Sequence, residues 1–307
     1  MANLDSASVK TADQVPATWV ERYIDVDGIR TRYVLEGNGP PVLLIHGLGE
    51  FLEVWNRNIA PLSEHFAVYA VDLPGHGLSG KSLGSYTLDF TSEFIVHFMQ
   101  ALGIKHASLV GHSLGAKVCL NLAISFPEKI NKLVLLDAGG LSKKAPLSYQ
   151  LTILPVLGHI LLGPSQLINK ATIRMNLKMK RYFYNPNVVD EAWINTTYKY
   201  LKKPDRNDVL LNALRSNIGL NGMYRGVSII DELHLVNVPT LVVHGAEDRV
   251  VHFRDSQLVC KLIPNVQCEV ISECGHCPQV EKAAYFNDLV VTFLSAAKRE
   301  QVPVQPE

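Results

Sequence analysis

The chain has 307 residues, 47% of them hydrophobic and 19% charged, with 29 Lys+Arg against 29 Asp+Glu. That much apolar material excludes an intrinsically disordered chain, and the balanced charge gives no broad electrostatic footprint for DNA or RNA. Five cysteines, an odd number spread over a long chain, point away from a secreted disulfide scaffold.

In chain order, residues 1–14 lack the basic start and apolar run of a signal peptide and carry acids that transit peptides avoid. The longest apolar stretch, 151–162, is too short to span a bilayer and is broken by Pro155 and Gly158. A soluble protein in a reducing, cytoplasmic setting is the expectation. Segments 20–26 and 29–35 flank Asp27-Gly28, a hairpin signal. The β-branched and Leu-rich runs 42–45, 67–71, 108–110 and 133–136 read as buried parallel strands. Segments 54–65 and 87–102 between them read as helices. In the second, Leu88, Phe94, Ile95, Phe98 and Leu102 recur at helical spacing and Thr87 can cap the start.

From 139 to 236 the alternation stops. This stretch is helical in period, rich in Leu, Ile, Met and Tyr, and broken by Gly-Pro and Asn-Pro pairs. A helical insert of that size within an α/β sheet reads as a lid. Within it, Lys170, Arg174 and Lys178 lie at i, i+4 and i+8, with Lys180 and Arg181 close by. That spacing describes a basic amphipathic helix that meets an anionic lipid surface or a carboxylate-bearing substrate, or else a solvated face balanced by acids elsewhere. Beyond the insert, 240–243 and 268–271 read as two more strands, each followed by a helical stretch. Strand alternating with helix predicts a parallel sheet with helices on both faces. The expected division is a core of residues 1–138 and 237–307 with a helical cap at 139–236.

The strongest chemical signal is Gly111-His112-Ser113-Leu114-Gly115, which follows a predicted strand and opens a predicted helix. This is the setting of a G-x-S-x-G nucleophile elbow. Ser113 sits on a very sharp turn with its hydroxyl projecting, and the two glycines remove side chains that would clash across it. The helix N-terminus behind it offers a free amide to a developing oxyanion. A serine nucleophile needs a base, and the base an orienting acid. In this type of fold the chain order is Ser, then acid, then His. Asp248, past the 240–243 strand, and His276, past the 268–271 strand, both lie in loops at carboxyl ends of strands. Glu247 and Asp137 are the competing acids. In His46-Gly47-Leu48-Gly49, after the 42–45 strand, a glycine-bracketed turn can present the Leu48 amide, which with the Leu114 amide makes a two-donor oxyanion hole. His46 itself takes a packing role, and Glu50 and Glu53, just after the turn, are expected at the surface, the alternative being a bias of the pocket against anions.

These pieces, with Asp72-Leu73-Pro74-Gly75-His76-Gly77-Leu78-Ser79, resemble the α/β-hydrolase superfamily over nearly the whole chain. The resemblance implies an α/β-hydrolase fold: an eight-stranded, mostly parallel sheet with an inserted helical cap. It implies the triad Ser113, Asp248 and His276, a small-molecule substrate, no metal and no organic cofactor. Epoxide hydrolases and haloalkane dehalogenases of the superfamily place Asp at the nucleophile, and Ser113 argues against both chemistries. Members that cleave carbon–carbon bonds in ring-fission products often carry Trp directly after the catalytic histidine, a place held here by Cys277. Cys274-Gly275-His276-Cys277 matches a redox CxxC motif, but the 30 residues that remain (307 − 277) cannot complete a thioredoxin-like domain. A zinc site there lacks a second ligand pair. The function expected from the sequence is a serine hydrolase acting on a carboxylic ester or related acyl bond of a small apolar substrate. A small-molecule receptor with a slow triad, a carbon–carbon bond hydrolase and an acyltransferase stand as alternatives, and oligomeric state is not legible.

Overall fold

The computed structural model describes residues 19–141, 144–163, 167–179, 182–224 and 228–297. Strand β1 (Glu21–Val26) pairs antiparallel with β2 (Ile29–Glu36) through Asp27 and Gly28, both at positive φ (52° and 78°). Two successive left-handed residues suit a two-residue hairpin turn. After β3 (Pro41–Ile45) the helix expected over 54–65 is instead a 3₁₀ turn, Leu52–Trp55, and the single-turn helix α1 (Ile59–Ser63). The break falls at Asn58, whose amide N–H closes a tight bond to the Trp55 carbonyl (2.8 Å). Its buried side chain donates to the Gln279 carbonyl and to Asn287 Oδ1.

Next come β4 (Ala67–Val71), α2 (Leu88–Ala101), β5 (Ala107–His112), α3 (Leu114–Ser125) and β6 (Ile130–Leu136). Thr87 caps α2 as its spacing predicts, its hydroxyl accepting from the Phe90 amide at 3.1 Å. Between β6 and the next core strand lie α4 (Leu147–Thr152), α5 (Pro155–Leu162), α6 (Lys170–Met179), α7 (Glu191–Leu201) and α8 (Arg206–Asn217). A minimal ribbon of β7 (Ile218–Gly219) and β8 (Gly222–Met223) follows, a pairing too short to leave a sequence pattern. The core resumes with β9 (Thr240–Gly245), α9 (Phe253–Leu262), β10 (Val266–Ile271), α10 (Pro278–Glu281) and α11 (Ala283–Ser295).

The large sheet has eight strands in the order β1-β2-β4-β3-β5-β6-β9-β10, antiparallel at β1–β2 and β2–β4 and parallel from there on. Alternation along the strands builds two cores. Leu43, Ile45, Leu109 and Leu135 pack on one face with Phe94 and Phe98 of α2 and Val118 and Leu122 of α3. Val42, Leu44, Val110 and Leu136 pack on the other with Trp55, Ile59, Phe286 and Val290. A sheet covered on both faces reads as near-continuous hydrophobic runs, which is why its central strands stand out in the sequence. A disulfide joins Cys260 of α9 to Cys268 of β10, one local staple where the cysteine count gave no pairing. Among the described residues no helix is long and apolar enough to cross a membrane.

Candidate active site

The parallel order brings the carboxyl ends of β3, β5, β6, β9 and β10 to one edge of the sheet. At that edge Ser113, between β5 and α3, adopts φ 52° and ψ −113°, a strained setting for a residue with a side chain. The turn closes because its glycines are bare. A Cβ on Gly111 would lie 2.5 Å from the Gly115 carbonyl carbon, and one on Gly115 would lie 2.2 Å from the Ile45 oxygen. The Ser113 amide donates to the Leu136 carbonyl and fixes the elbow to β6.

Behind Ser113, Leu114 is the first residue of α3, where helical amides lack internal partners. Among the described residues neither the Leu114 nor the Leu48 amide has a hydrogen-bond acceptor, so both remain available to an oxyanion. His276 Nδ1 lies 2.8 Å from Asp248 Oδ2, and Asp248 Oδ1 accepts from the Val250 and Val251 amides. Burial pushes the Asp248 carboxyl up, but the hydrogen bond and charge of His276 and the two amides hold it below its ordinary value. His276 is 1% exposed. Burial, reinforced by the neighbouring charge of His112, lowers its pKa against the pull of Asp248. The structure therefore brings His276 and Asp248 into contact. It gives the Ser113 hydroxyl no hydrogen bond to His276, a contact that in many hydrolases tightens only around substrate.

Glu50 and Glu53 are not surface residues: each is 9% exposed. Glu53 bonds Arg32, which also meets Asp72, Glu21 and the Tyr200 hydroxyl of α7, so two buried acids and one half-exposed acid surround one buried guanidinium. Glu50 folds back under the oxyanion turn. Its carboxylate accepts from the Gly47 amide (2.6 Å), from His112 Nδ1 (2.9 Å) and from the Tyr182 hydroxyl (2.5 Å). The other His112 nitrogen lies 2.7 Å from the His276 carbonyl oxygen, which can only accept. Both imidazole nitrogens therefore donate, and His112 is a buried imidazolium paired with Glu50. Against the opposing pull of burial, Glu50 raises the His112 pKa, while the His112 charge, the His112 and Tyr182 hydrogen bonds and the Gly47 amide bring the Glu50 carboxyl down to about 2. Sequence reasoning missed this pair. The one available signal was a histidine at the last position of a central strand, a place that is buried and demands partners.

The insert reaches the site through residues 182–185. The His276 amide donates to the Tyr182 carbonyl, and Glu281 accepts from the Gly275 and Asn185 amides. A Cβ on Gly275 would lie 2.8 Å from both the Tyr182 oxygen and the Tyr184 nitrogen, so only glycine permits this approach.

The competing acids have other partners. Glu247 accepts from the Cys274 amide, and Asp137 accepts from the Gly245 amide and faces His244. Burial, then the charge of Asp248, raises the Asp137 carboxyl well above its ordinary value. His46 takes the packing role expected of it: Nε2 accepts from the Leu73 amide and Nδ1 donates to the Gly47 carbonyl. Cys274 and Cys277 are fully buried free thiols, both raised by burial, the reverse of reactive cysteines. Of the basic stripe, Arg174 is ion-paired with Glu191 and Lys170 faces the Tyr198 ring, while Lys180, Arg181 and the Lys178 side chain lie outside what the structure describes.

The family model described as the alpha/beta hydrolase fold matches residues 40–156 and 159–283. The 2-hydroxymuconate semialdehyde hydrolase of Pseudomonas sp. (strain CF600) is 30% identical over 285 residues, which covers 91% of this chain and 95% of that protein. The 2-hydroxy-6-oxo-6-(2'-aminophenyl)hexa-2,4-dienoic acid hydrolase of Metapseudomonas resinovorans is 28% identical over 92% of this chain and 94% of its own. Among solved structures, a serine hydrolase involved in carbazole degradation superposes with a TM-score of 0.75 at 27% identity, covering 91% of this chain and 99% of that one.

Proposed function

The chain belongs to the alpha/beta hydrolase fold family, and from that premise we propose that it is a serine hydrolase that cleaves an acyl bond, a carboxylic ester first of all, in a small molecule. The observation that carries this is the strained Ser113 at the head of α3, set among open backbone amides, with a buried His276–Asp248 pair on the same edge of the sheet. Ser113 Oγ attacks the carbonyl carbon while His276 takes the hydroxyl proton. Asp248 holds the imidazole in the tautomer that leaves Nε2 free and stabilises the imidazolium that forms. The Leu48 and Leu114 amides receive the oxyanion. Collapse breaks the bond to the leaving group, which takes its proton from His276. Water, activated in turn by His276, then releases the acid and restores Ser113.

A second reading is a carbon–carbon bond hydrolase. It is favoured by the two relatives above, one named for a semialdehyde and the other for a dienoic acid, and opposed by Cys277 at the place of the Trp frequent in that group. Steady-state kinetics on p-nitrophenyl esters of graded chain length, beside 2-hydroxymuconate semialdehyde, separates the two. Ester turnover lost in Ser113→Ala supports the ester reading, faster turnover of the semialdehyde supports the second, and wild-type rates unchanged in Ser113→Ala would overturn both.

A further inference from the structure

Lys117 lies in the first turn of α3, four residues past Ser113, and is 3% exposed. Its amide donates to the Ser113 carbonyl, as does the amide of Gly139. An ammonium taken out of water is costly unless it is paired or hydrogen-bonded. Lys132 shows how this molecule meets that cost in a structural role: its ammonium donates to the carbonyl oxygens of Phe293, Leu294 and Ala296. Lys117 receives nothing of the kind. Among the described residues its ammonium has neither a hydrogen bond nor an ion pair, and burial brings its pKa down to about 8 with no acid to oppose the shift. The positive end of α3 makes the setting worse for a cation. The carboxylates of Glu50 and Asp248 are committed to His112 and His276.

The ammonium and the Ser113 hydroxyl each lie against one of two consecutive glycines. A Cβ on Gly140 would lie 3.6 Å from Lys117 Nζ and 3.4 Å from Met223 Cε, and a Cβ on Gly139 would lie 3.3 Å from Ser113 Oγ. Neither glycine carries a side chain to cover the group it faces. We infer that Lys117 is the recognition group for a carboxylate carried on the acyl part of the substrate, a few bonds from the carbonyl that Ser113 attacks. The inference rests on the serine hydrolase reading and narrows its substrate to an acyl chain with a second, anionic end. One buried ammonium matches the single charge of a carboxylate, with the ion pair completed only when substrate is bound.

The test compares p-nitrophenyl butyrate with the mono-p-nitrophenyl ester of glutarate, in wild type, Lys117→Met and Lys117→Gln. The quantity read is the ratio of kcat/KM for the anionic ester to that for the neutral one. The expected result is a ratio at least tenfold lower in both variants. A ratio unchanged from wild type overturns the assignment. Should wild type hydrolyse neither ester, the hydrolase reading fails on its own, and Lys117 is then judged by binding. Glutarate must raise the melting temperature of wild type more than its uncharged diamide does, and an equal effect of the two overturns the site. The same comparison decides the matter if neither variant folds.

Discussion

Replacing Glu50 with Gln removes the charge from the pair beneath the oxyanion turn while keeping the shape of the side chain. The loss can be estimated from the carboxyl itself, which moves from an ordinary 4.5 to about 2 in the folded protein. A carboxyl lowered that far contributes about 3 kcal/mol at neutral pH, and breaking one side of a buried ion pair costs about 3–5 kcal/mol. The two figures describe one interaction and are not added. Because the folded pKa is depressed, the contribution is complete above pH 4.5 and is lost as the pH falls toward 2. At pH 3 less than half of it remains. Urea unfolding of wild type and Glu50→Gln at pH 7 and pH 3 is the assay. The expected outcome is a gap of about 3 kcal/mol at pH 7 that shrinks by more than half at pH 3. A gap of the same size at both values, or none at pH 7, refutes the buried imidazolium–carboxylate pair.

Three further outcomes follow from the site. The pH profile of kcat/KM has its acid limb below 6.5, since burial and the charge of His112 lower the His276 pKa; a limb at or above 6.5 contradicts the arrangement. Asp248→Asn keeps an acceptor for the Val250 and Val251 amides but turns an amide N–H toward His276 Nδ1. The expected cost is about 10⁴-fold in kcat with little change in melting temperature, and Asp137, already bonded to Gly245, does not replace it. Gly275→Ala forces a methyl against the Tyr182 and Tyr184 backbone, an overpacking cost of about 1–3 kcal/mol that thermal unfolding reads directly; an unchanged melting temperature counts against the close approach.

Most of the core was legible because parallel strands buried on both faces are continuous apolar runs, as at 42–45 and 133–136. The elbow, Asp248 and His276 were legible because backbone geometry dictates glycine spacing and position after a strand. The contacts of residues 182–185 with the His276 loop were not, since they depend on tertiary approach and a single permissive glycine. Nor were the partners of Glu50: an acid after a surface-looking turn is ordinarily exposed, and only the fold brings His112 and Tyr182 to it. Lys117 was hidden for the same reason, because an isolated lysine in a helix is usually solvated.

The proposed chemistry depends on Ser113 acting as the nucleophile. Incubation with a fluorophosphonate, followed by intact mass and peptide mapping, tests it most directly. A single adduct on Ser113, absent in Ser113→Ala and slowed in Asp248→Asn, is the expected result. An adduct on another residue, or esterase activity that persists without any adduct, contradicts it.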